Sequence, residues 1–404
     1  MKYDFTSIID RVGRDASAID SVGAKGWGAE PEAPKEGFDF IPMWVADMNF
    51  ATSPSVTKAI IERAQHPLFG YYTTRKEYYD AIIRWQTTRH NVTGLTAEAI
   101  GYENGVHGGV TSAIQIMTEP GDSVLVHTPL YIGFRADVDM QGRKSVFTPL
   151  TKDEDGIYRM DFDDMDRKIR ENHIHTAIFC SPHNPTGRVW EKWELEKAMQ
   201  VYQDNQCYVI SDEIWSDIVY AGHEHIPTQM VSEWAREHTA AYYAPSKTFN
   251  LAGLVGSYHI IYNQYLRDRI VAHSMRTHYN SQNVLSMHAL IGAYNETGEE
   301  WVDELLQVLR DNTGYAADFI TENFPDIAVT KPQGTYMLFL DLTAYCEKHH
   351  KTLDEMIRTG WSYGVGWQDG RGFGGPCHIR MNVALPRVRV EEAMRRLKEY
   401  VFTD

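Results

Sequence analysis

The chain has 404 residues, too many for one compact core, and its 43% apolar content is enough to build a sizeable one. A net charge of −16 argues against nucleic acid or an anionic membrane as the main partner. Charged residues make up 23% of the chain, so global disorder is excluded as well.

Residues 1–50 read as an irregular arm rich in Gly, Pro and acids, closing on the apolar segment Ile41-Pro42-Met43-Trp44-Val45-Ala46-Asp47-Met48. Ser53-Pro54 opens a helix to about Ala64, with Pro where its missing N–H costs nothing. A second helix is expected over Lys76 to His90. Glu103-Asn104-Gly105-Val106-His107-Gly108-Gly109 reads as a Gly-rich turn, followed by a helix over Val110 to Met117. Buried strands are expected at 123–127, 176–180 and 207–211, with an amphipathic helix from Glu191 to about Gln203 between the last two. Strands alternating with helices predict an α/β fold with a parallel sheet. Beyond residue 285 the pattern changes to long helices over Leu285 to Tyr294 and Glu299 to Asn323. Strands follow at Gly334 to Asp341 and Cys377 to Val383, with a last helix from about Val390 to Tyr400, which suits a smaller α+β domain. The expected organisation is a 1–50 arm that belongs to the small domain, a 51–285 large domain and a 286–404 small domain.

The four cysteines lie in no close pair, so neither a zinc site nor a disulfide framework is expected. The N-terminus lacks the apolar core of a signal peptide, and no stretch approaches the length of a membrane span. These features predict a cytoplasmic enzyme.

In an open parallel sheet ligands gather beyond the C-terminal strand ends, and four unusual segments sit there: Thr128-Pro129-Leu130-Tyr131, Ser181 to Arg188, Asp212-Glu213-Ile214-Trp215, and the segment around Ser246-Lys247. A lysine in apolar surroundings has a lowered pKa and can form a Schiff base with an aldehyde cofactor. Asp212 could keep a pyridine nitrogen protonated. Asn184 could donate to a ring oxygen, and Tyr131 could stack on the ring. The turn Gly105 to Gly109, ahead of a helix, could hold a phosphate, and Arg380, within an apolar strand, could grip a carboxylate at two points. Singly, each has an ordinary reading as a cap, a turn, a packing contact or an ion pair; their order and shared location give them weight.

Asn184-Pro185-x-Gly187, Asp212, Ser246-Lys247 and Arg380, in this order, resemble the fold-type I pyridoxal-phosphate enzymes of the class I/II aminotransferase superfamily. More closely, Trp44 to Phe50, Phe69-Gly70-Tyr71, Ser181-Pro182-His183-Asn184-Pro185-Thr186-Gly187-Arg188-Val189-Trp190, Gly298-Glu299-Glu300-Trp301 and Ile379-Arg380-Met381-Asn382 resemble the MalY/PatB-type C–S β-lyases. The resemblance implies a large domain with a mostly parallel sheet and a smaller α+β domain. It implies pyridoxal 5'-phosphate held by Lys247 through a Schiff base, with Asp212 on the pyridine nitrogen, Asn184 on the ring oxygen and Tyr131 stacked on the ring. Val106, His107 and Ser246 would contact the phosphate, joined by Tyr71 from a neighbouring subunit, so that a homodimer shares its active sites. Trp215 stands where many relatives have Tyr or His. Arg380 and the backbone at Ala46 would bind the α-carboxylate of a small amino-acid substrate.

The implied activity is β-elimination on cystathionine or another S-substituted L-cysteine, giving a thiol, pyruvate and ammonia. Lys247 would be the catalytic base, and Tyr131 a candidate acid toward the departing sulfur. An aminotransferase on the same scaffold is the alternative reading, and a regulatory protein on a decayed enzyme scaffold is a third.

Overall fold

The computed structural model describes residues 1–24 and 30–403; residues 25–29 of the expected arm lie outside the described residues. Contacts group the chain into two units, one of Thr52–Asn184 and Arg188–Asp303, the other of Met1–Ala51, Pro185–Gly187 and Glu304–Asp404.

The larger unit begins with α1 (Pro54–Gln65) and α2 (Lys76–His90), and Pro54 occupies the first helical turn as expected. Then follow β1 (Ile100–Asn104), α3 (Val106–Met117), β2 (Ser123–Thr128), α4 (Ile132–Asp139), β3 (Lys144–Pro149), α5 (Phe162–Glu171), β4 (Thr176–Cys180), α6 (Lys192–Asp204) and β5 (Tyr208–Asp212). The unit continues through β6 (Thr239–Tyr243), the single turn α7 (Pro245–Thr248), β7 (Gly256–Ile260), α8 (Gln264–Thr277) and α9 (Val284–Ala293) into α10 (Glu296–Asn323). The seven strands form one sheet in the order β1-β7-β6-β5-β4-β2-β3, and β7 is antiparallel to both of its neighbours while the other pairings are parallel.

Side chains of a strand alternate between faces, and both faces here are buried. Val124, Val126, Ile178 and Ile210 pack with Val110 and Ile114 of α3 and Phe134 of α4. Leu125, Ala177, Phe179 and Val209 pack on the other side with Met165 and Ile169 of α5 and Leu195 and Met199 of α6. Burial on both faces explains why these strands read as continuous apolar runs.

Three expectations shift. The strand expected over 207–211 is Tyr208–Asp212, so Asp212 is a strand residue and not the first residue of the turn. α3 starts at Val106 rather than Val110; its two glycines are helical, and a Cβ on Gly109 would come within 2.4 Å of the Tyr242 ring. The division between units falls inside α10, at Asp303/Glu304, because α9 packs on α1 and α2.

In the smaller unit β8 (Ala328–Val329), β9 (Met337–Asp341), β10 (Gln368–Asp369) and β11 (His378–Asn382) form an antiparallel sheet in the order β8-β9-β11-β10. Ile379 and Met381 of β11 enter a core shared with Leu338, Leu340, Trp367, Ile320 and Val390. Alternation therefore turns His378, Arg380 and Asn382 to the opposite face. Ile41–Pro42 of the arm pairs in parallel with Val365–Gly366. Among the described residues, no helix is long and apolar enough to cross a membrane.

The stretch from Ser181 to Trp190 owes much of its composition to folding. The Trp190 indole donates to the Cys180 carbonyl at 2.8 Å, and the His183 N–H donates to the Arg188 carbonyl at 2.8 Å. The buried Arg188 guanidinium donates to the Tyr158 carbonyl at 2.9 Å and pairs with the fully buried Glu194. Glu194 also accepts the Glu191 N–H in the capping box that starts α6. Removing one partner of a buried ion pair strands the other, at a cost of about 3–5 kcal/mol. Glu194→Ala is therefore expected to lower the unfolding free energy by about that amount in urea titration. A loss below ~1 kcal/mol would mean that the pair behaves as an exposed one.

Candidate active site

Four adjacent parallel strands, β2, β4, β5 and β6, end along one edge of the sheet, and each hands over to one of the expected residues. Tyr131 follows β2, Asn184 follows β4, Asp212 ends β5 and Lys247 follows β6. The register pairs Cys180 with Asp212 and Asp212 with Tyr242, so these strand ends are level. The Ser181 N–H donates to the Asp212 carbonyl at 3.0 Å and the Glu213 N–H to the Tyr242 carbonyl at 2.9 Å, which ties the three ends together.

Lys247 sits in α7, one turn opened by Pro245 and left at Asn250, whose φ of +57° turns the chain out of the helix. Its ammonium lies 5.7 Å from the centre of the Trp215 ring, a cation–π distance. The floor under this turn is aromatic. Phe249 stacks on Trp301 at 5.4 Å, and Trp85 stacks on Tyr294 at 4.5 Å. Gly298, from the Gly298-Glu299-Glu300-Trp301 motif, lets α10 begin so close to α9 that a Cβ would stand 1.8 Å from the Ala293 carbonyl. The neighbour of the lysine is clamped too: Thr248 Oγ1 donates to Asp217 Oδ2 at 2.8 Å, and Asp217 Oδ1 receives the Trp85 indole and faces His90 Nε2, both at 2.9 Å.

Asp212 is buried and accepts the Ile214 N–H at 3.0 Å. Burial pushes its carboxyl up to about 6, against the Ile214 N–H and the charges of His107 and Lys247, which pull it down. The next residue contrasts with it. Burial would raise Glu213 as well, but His225 at 2.9 Å, the Tyr243 hydroxyl at 2.7 Å and the Thr228 N–H at 3.0 Å hold it below the usual range. Asn184 and Trp215 are buried beside this edge, while Ser246 and Tyr131 are half-buried.

β1 runs parallel to β6 in direction, so the start of α3 opens on the same edge. Gly105, at φ +81°, is its N-cap and supplies no side chain, which leaves the N–H groups of the first turn, Val106 and His107 among them, facing outward. The His107 imidazole turns to side chains: Nδ1 is 2.8 Å from Asp137 and Nε2 is 2.8 Å from the Tyr131 hydroxyl. Val255 lies beside Gly105, and its valine side chain brings no charge to this end of the helix.

Of the remaining expected residues, Tyr71 is fully exposed on the larger unit. Arg380 and Ala46 belong to the smaller one. The buried Arg380 donates to the Trp44 carbonyl at 3.1 Å and to Gln368 Oε1 at 2.6 Å, with its guanidinium 4.3 Å over the Phe373 ring. The arm beside it is pinned by Asn382, which donates to the carbonyls of Val45 at 2.7 Å and Asp47 at 2.6 Å, and by Tyr336, which donates to that of Ala46 at 3.1 Å. Sequence reading missed Asp137, Asp217 and Gln368, and named Asn382 only within the Arg380 motif. The one signal available was a run of acids, Asp212, Glu213 and Asp217, too dense for a buried turn unless each had a partner.

Asp212 has a stability consequence. Its folded pKa of about 6 lies above the unfolded 3.8, so the native state holds the proton more tightly. The group therefore adds stability as the pH falls from above 6 toward 4 and subtracts roughly 3 kcal/mol at neutral pH. In the ligand-free protein Asp212→Asn is expected to raise the thermal midpoint at pH 8, with the gain fading toward pH 4. A gain of equal size at both pH values would contradict the assignment.

Comparison with known proteins identifies the family and the fold. The sequence is 34% identical over 367 residues to cystathionine beta-lyase PatB of Bacillus subtilis, covering 89% of this chain and 92% of that one. It is 32% identical over 401 residues to the protein MalY of Escherichia coli, covering 97% of each. The structure superposes on a PLP-bound C-S lyase from Staphylococcus hominis with a TM-score of 0.89 at 31% identity, over 99% of this chain and 98% of that one. The pattern of the family Aminotransferase class I and II matches residues 39–397. With the sheet order, the level strand ends and the lysine turn described above, this chain belongs to the class I and II aminotransferase family and has its fold-type I architecture.

Proposed function

We propose that this protein is a pyridoxal 5'-phosphate-dependent carbon–sulfur β-lyase that cleaves cystathionine or another S-substituted L-cysteine to a thiol, pyruvate and ammonia. The observation that carries the reading is the set Tyr131, Asn184, Asp212 and Lys247 on four adjoining strand ends. The C–S lyase activity named for the relatives supports the reaction type.

The donor set fits the cofactor. The uncapped first turn of α3 offers N–H groups of Val106 and His107 to a phosphate, and Ser246 stands at the start of the lysine turn. A buried carboxylate with a raised pKa suits a pyridine nitrogen, because a cationic partner removes the penalty of ionising it. Lys247 would hold the cofactor covalently through Nζ, Asn184 would donate to the ring oxygen, Tyr131 would stack on one face, and Trp215 would border the site beneath the lysine. Once bound, pyridoxal phosphate supplies the electron sink for a carbanion at the substrate Cα.

The chain's own groups do the rest. Arg380 would receive the substrate α-carboxylate at two points, with the backbone at Ala46 beside it; Gln368 and the Trp44 carbonyl orient its guanidinium. The Lys247 amine would take the Cα proton onto Nζ, with the Trp215 ring 5.7 Å away bordering its approach. Asp212 would keep a proton on the pyridine nitrogen. Tyr131 would give its hydroxyl proton to the departing sulfur.

Lys247→Ala is expected to reduce pyruvate release from cystathionine by about 10³-fold. Pyruvate release from that variant at the wild-type rate would defeat the assignment. Wild-type protein that exchanges an amino acid with a keto acid, and yields no pyruvate from cystathionine, would point to an aminotransferase instead.

We take the protein to be a cytoplasmic homodimer whose sites are shared. Its four cysteines are free thiols, in keeping with a reducing compartment. Leu68, Phe69 and Tyr71 form a run of exposed large side chains, an unusual surface for a monomer. Tyr71 would reach the phosphate of the partner's cofactor. Sedimentation is expected to give twice the chain mass, and a monomer that is fully active would remove the shared-site reading.

A further inference from the structure

Three side chains at the rim of the site form a continuous hydrogen-bonded row. Asp137 of α4 faces His107 Nδ1 at 2.8 Å, and His107 Nε2 faces the Tyr131 hydroxyl at 2.8 Å. The row is built into the fold. The imidazole occupies room that Gly133 leaves, since a Cβ there would stand 1.9 Å from His107 Cε1 and 2.8 Å from Tyr131 Cε1. The Tyr131 ring is held edge-on by Phe134, 5.5 Å away and itself buried. A phosphate-binding role for His107 needs its backbone N–H, which leaves the imidazole free for another task.

Carboxylate, imidazole and hydroxyl in this order form a proton-transfer chain. An Asp137 oxygen accepting from Nδ1–H fixes the ring orientation and leaves Nε2 to exchange a proton with the phenol. We propose that Asp137 and His107 are positioning residues that relay a proton to Tyr131, so that the Tyr131 hydroxyl acts as the acid toward the leaving sulfur.

The inference rests on the C–S lyase reading. As the Cβ–S bond breaks, its electron pair stays on sulfur, and the Tyr131 hydroxyl proton moves to that sulfur. The Nε2 proton of the cationic imidazole moves to the Tyr131 oxygen. A neutral imidazole remains, still donating from Nδ1 to Asp137. The His107 side chain is 47% exposed, so solvent restores its proton.

The charged groups around His107 favour its cationic form. Burial alone would lower its pKa, but the hydrogen bond and charge of Asp137 outweigh that; Asp212 adds to the rise and Lys247 opposes it, and the net shift is upward. The relay is therefore loaded below the raised His107 pKa and is lost as the pH climbs through it.

A relay of this kind matters most for a basic leaving group. An alkyl thiolate is more basic than the thiolate of free cysteine, whose conjugate-acid pKa is ~8.5, and needs the proton; an aryl thiolate leaves without it. His107→Gln and Asp137→Asn are each expected to cut kcat/KM for S-ethyl-L-cysteine by about a hundredfold, and at least tenfold more than for S-(4-nitrophenyl)-L-cysteine. Asp137→Asn should also move the alkaline limb of the S-ethyl-cysteine profile to lower pH. In the ligand-free protein, the His107 Cε1 NMR titration should lie above ~6.5 and fall in Asp137→Asn. Equal losses on both substrates would overturn the relay, as would an unmoved His107 titration. Loss of pyridoxal-phosphate affinity without leaving-group selectivity would overturn it too, and would assign the imidazole to the phosphate. Wild-type protein that exchanges the substrate Cα hydrogen in D2O but releases no pyruvate would sink the lyase reading and the relay with it, whereas pyruvate release with equal losses on both substrates would sink the relay alone.

Discussion

A carboxylate at the end of a buried strand is destabilising unless something opposite to it arrives, and Asp212 is set there by the register of β4, β5 and β6. Its backbone is fixed by the Ser181 N–H on one side and its carboxylate by the Ile214 N–H, so it cannot turn toward water without breaking the level strand ends. The raised pKa expresses that constraint, and the groups that moderate it, His107 and Lys247, are themselves site residues. The site is thus held in tension by the fold, and a cationic ligand atom near Asp212 would relieve it. Stability given up for function at one buried group is a common arrangement in active sites.

The neighbouring acids show what Asp212 lacks. Glu213 and Asp217 are as deeply buried, yet both lie below the usual carboxylate range, because His225 and Tyr243 serve the first and His90, Arg89 and Thr248 the second. The His90 and His225 rings meet edge to face at 5.4 Å, so the two networks touch behind the lysine turn. Hydrogen-bonded networks of this kind rigidify what they surround. Through Thr248 they fix the position of α7, and through Glu213 the turn that carries Trp215. Rigid surroundings around one unrelieved carboxylate are what preorganised electrostatics requires.

Much of this was legible in the sequence because it is local. Lys76 to His90 reads as a helix and is one, end to end, and the strand-end segments announce themselves by composition. What was hidden depends on contacts between distant positions. α3 begins four residues early, and its Gly109 leaves room for the ring of Tyr242, far along the chain; a pair of glycines alone reads as a turn. β7 runs antiparallel, which no residue of Gly256–Ile260 declares. Asp137 looks like an ordinary helix-surface acid until α4 carries it to His107, and Gln368 becomes visible only when the register sets it opposite Arg380. The conspicuous Ser181 to Trp190 stretch was read for its chemistry, and its His183, Arg188 and Trp190 turn out to hold the loop together around Asn184.

The tryptophan at position 215 connects these points. An indole N–H can donate but cannot accept or titrate, so Trp215 gives the site a flat apolar wall under Lys247 and no exchangeable proton with a pKa near neutrality. His183, the other imidazole in the strand-end loops, is buried and pushed down to about 3, which removes it from service as an acid. His107 differs from both: it is half exposed, paired with a carboxylate and pulled upward. Asp212, raised to about 6, is the other group at this edge that titrates near neutrality, but it faces the Ile214 N–H, whereas the Asp137–His107–Tyr131 row joins its titratable group to a hydroxyl that can pass the proton on.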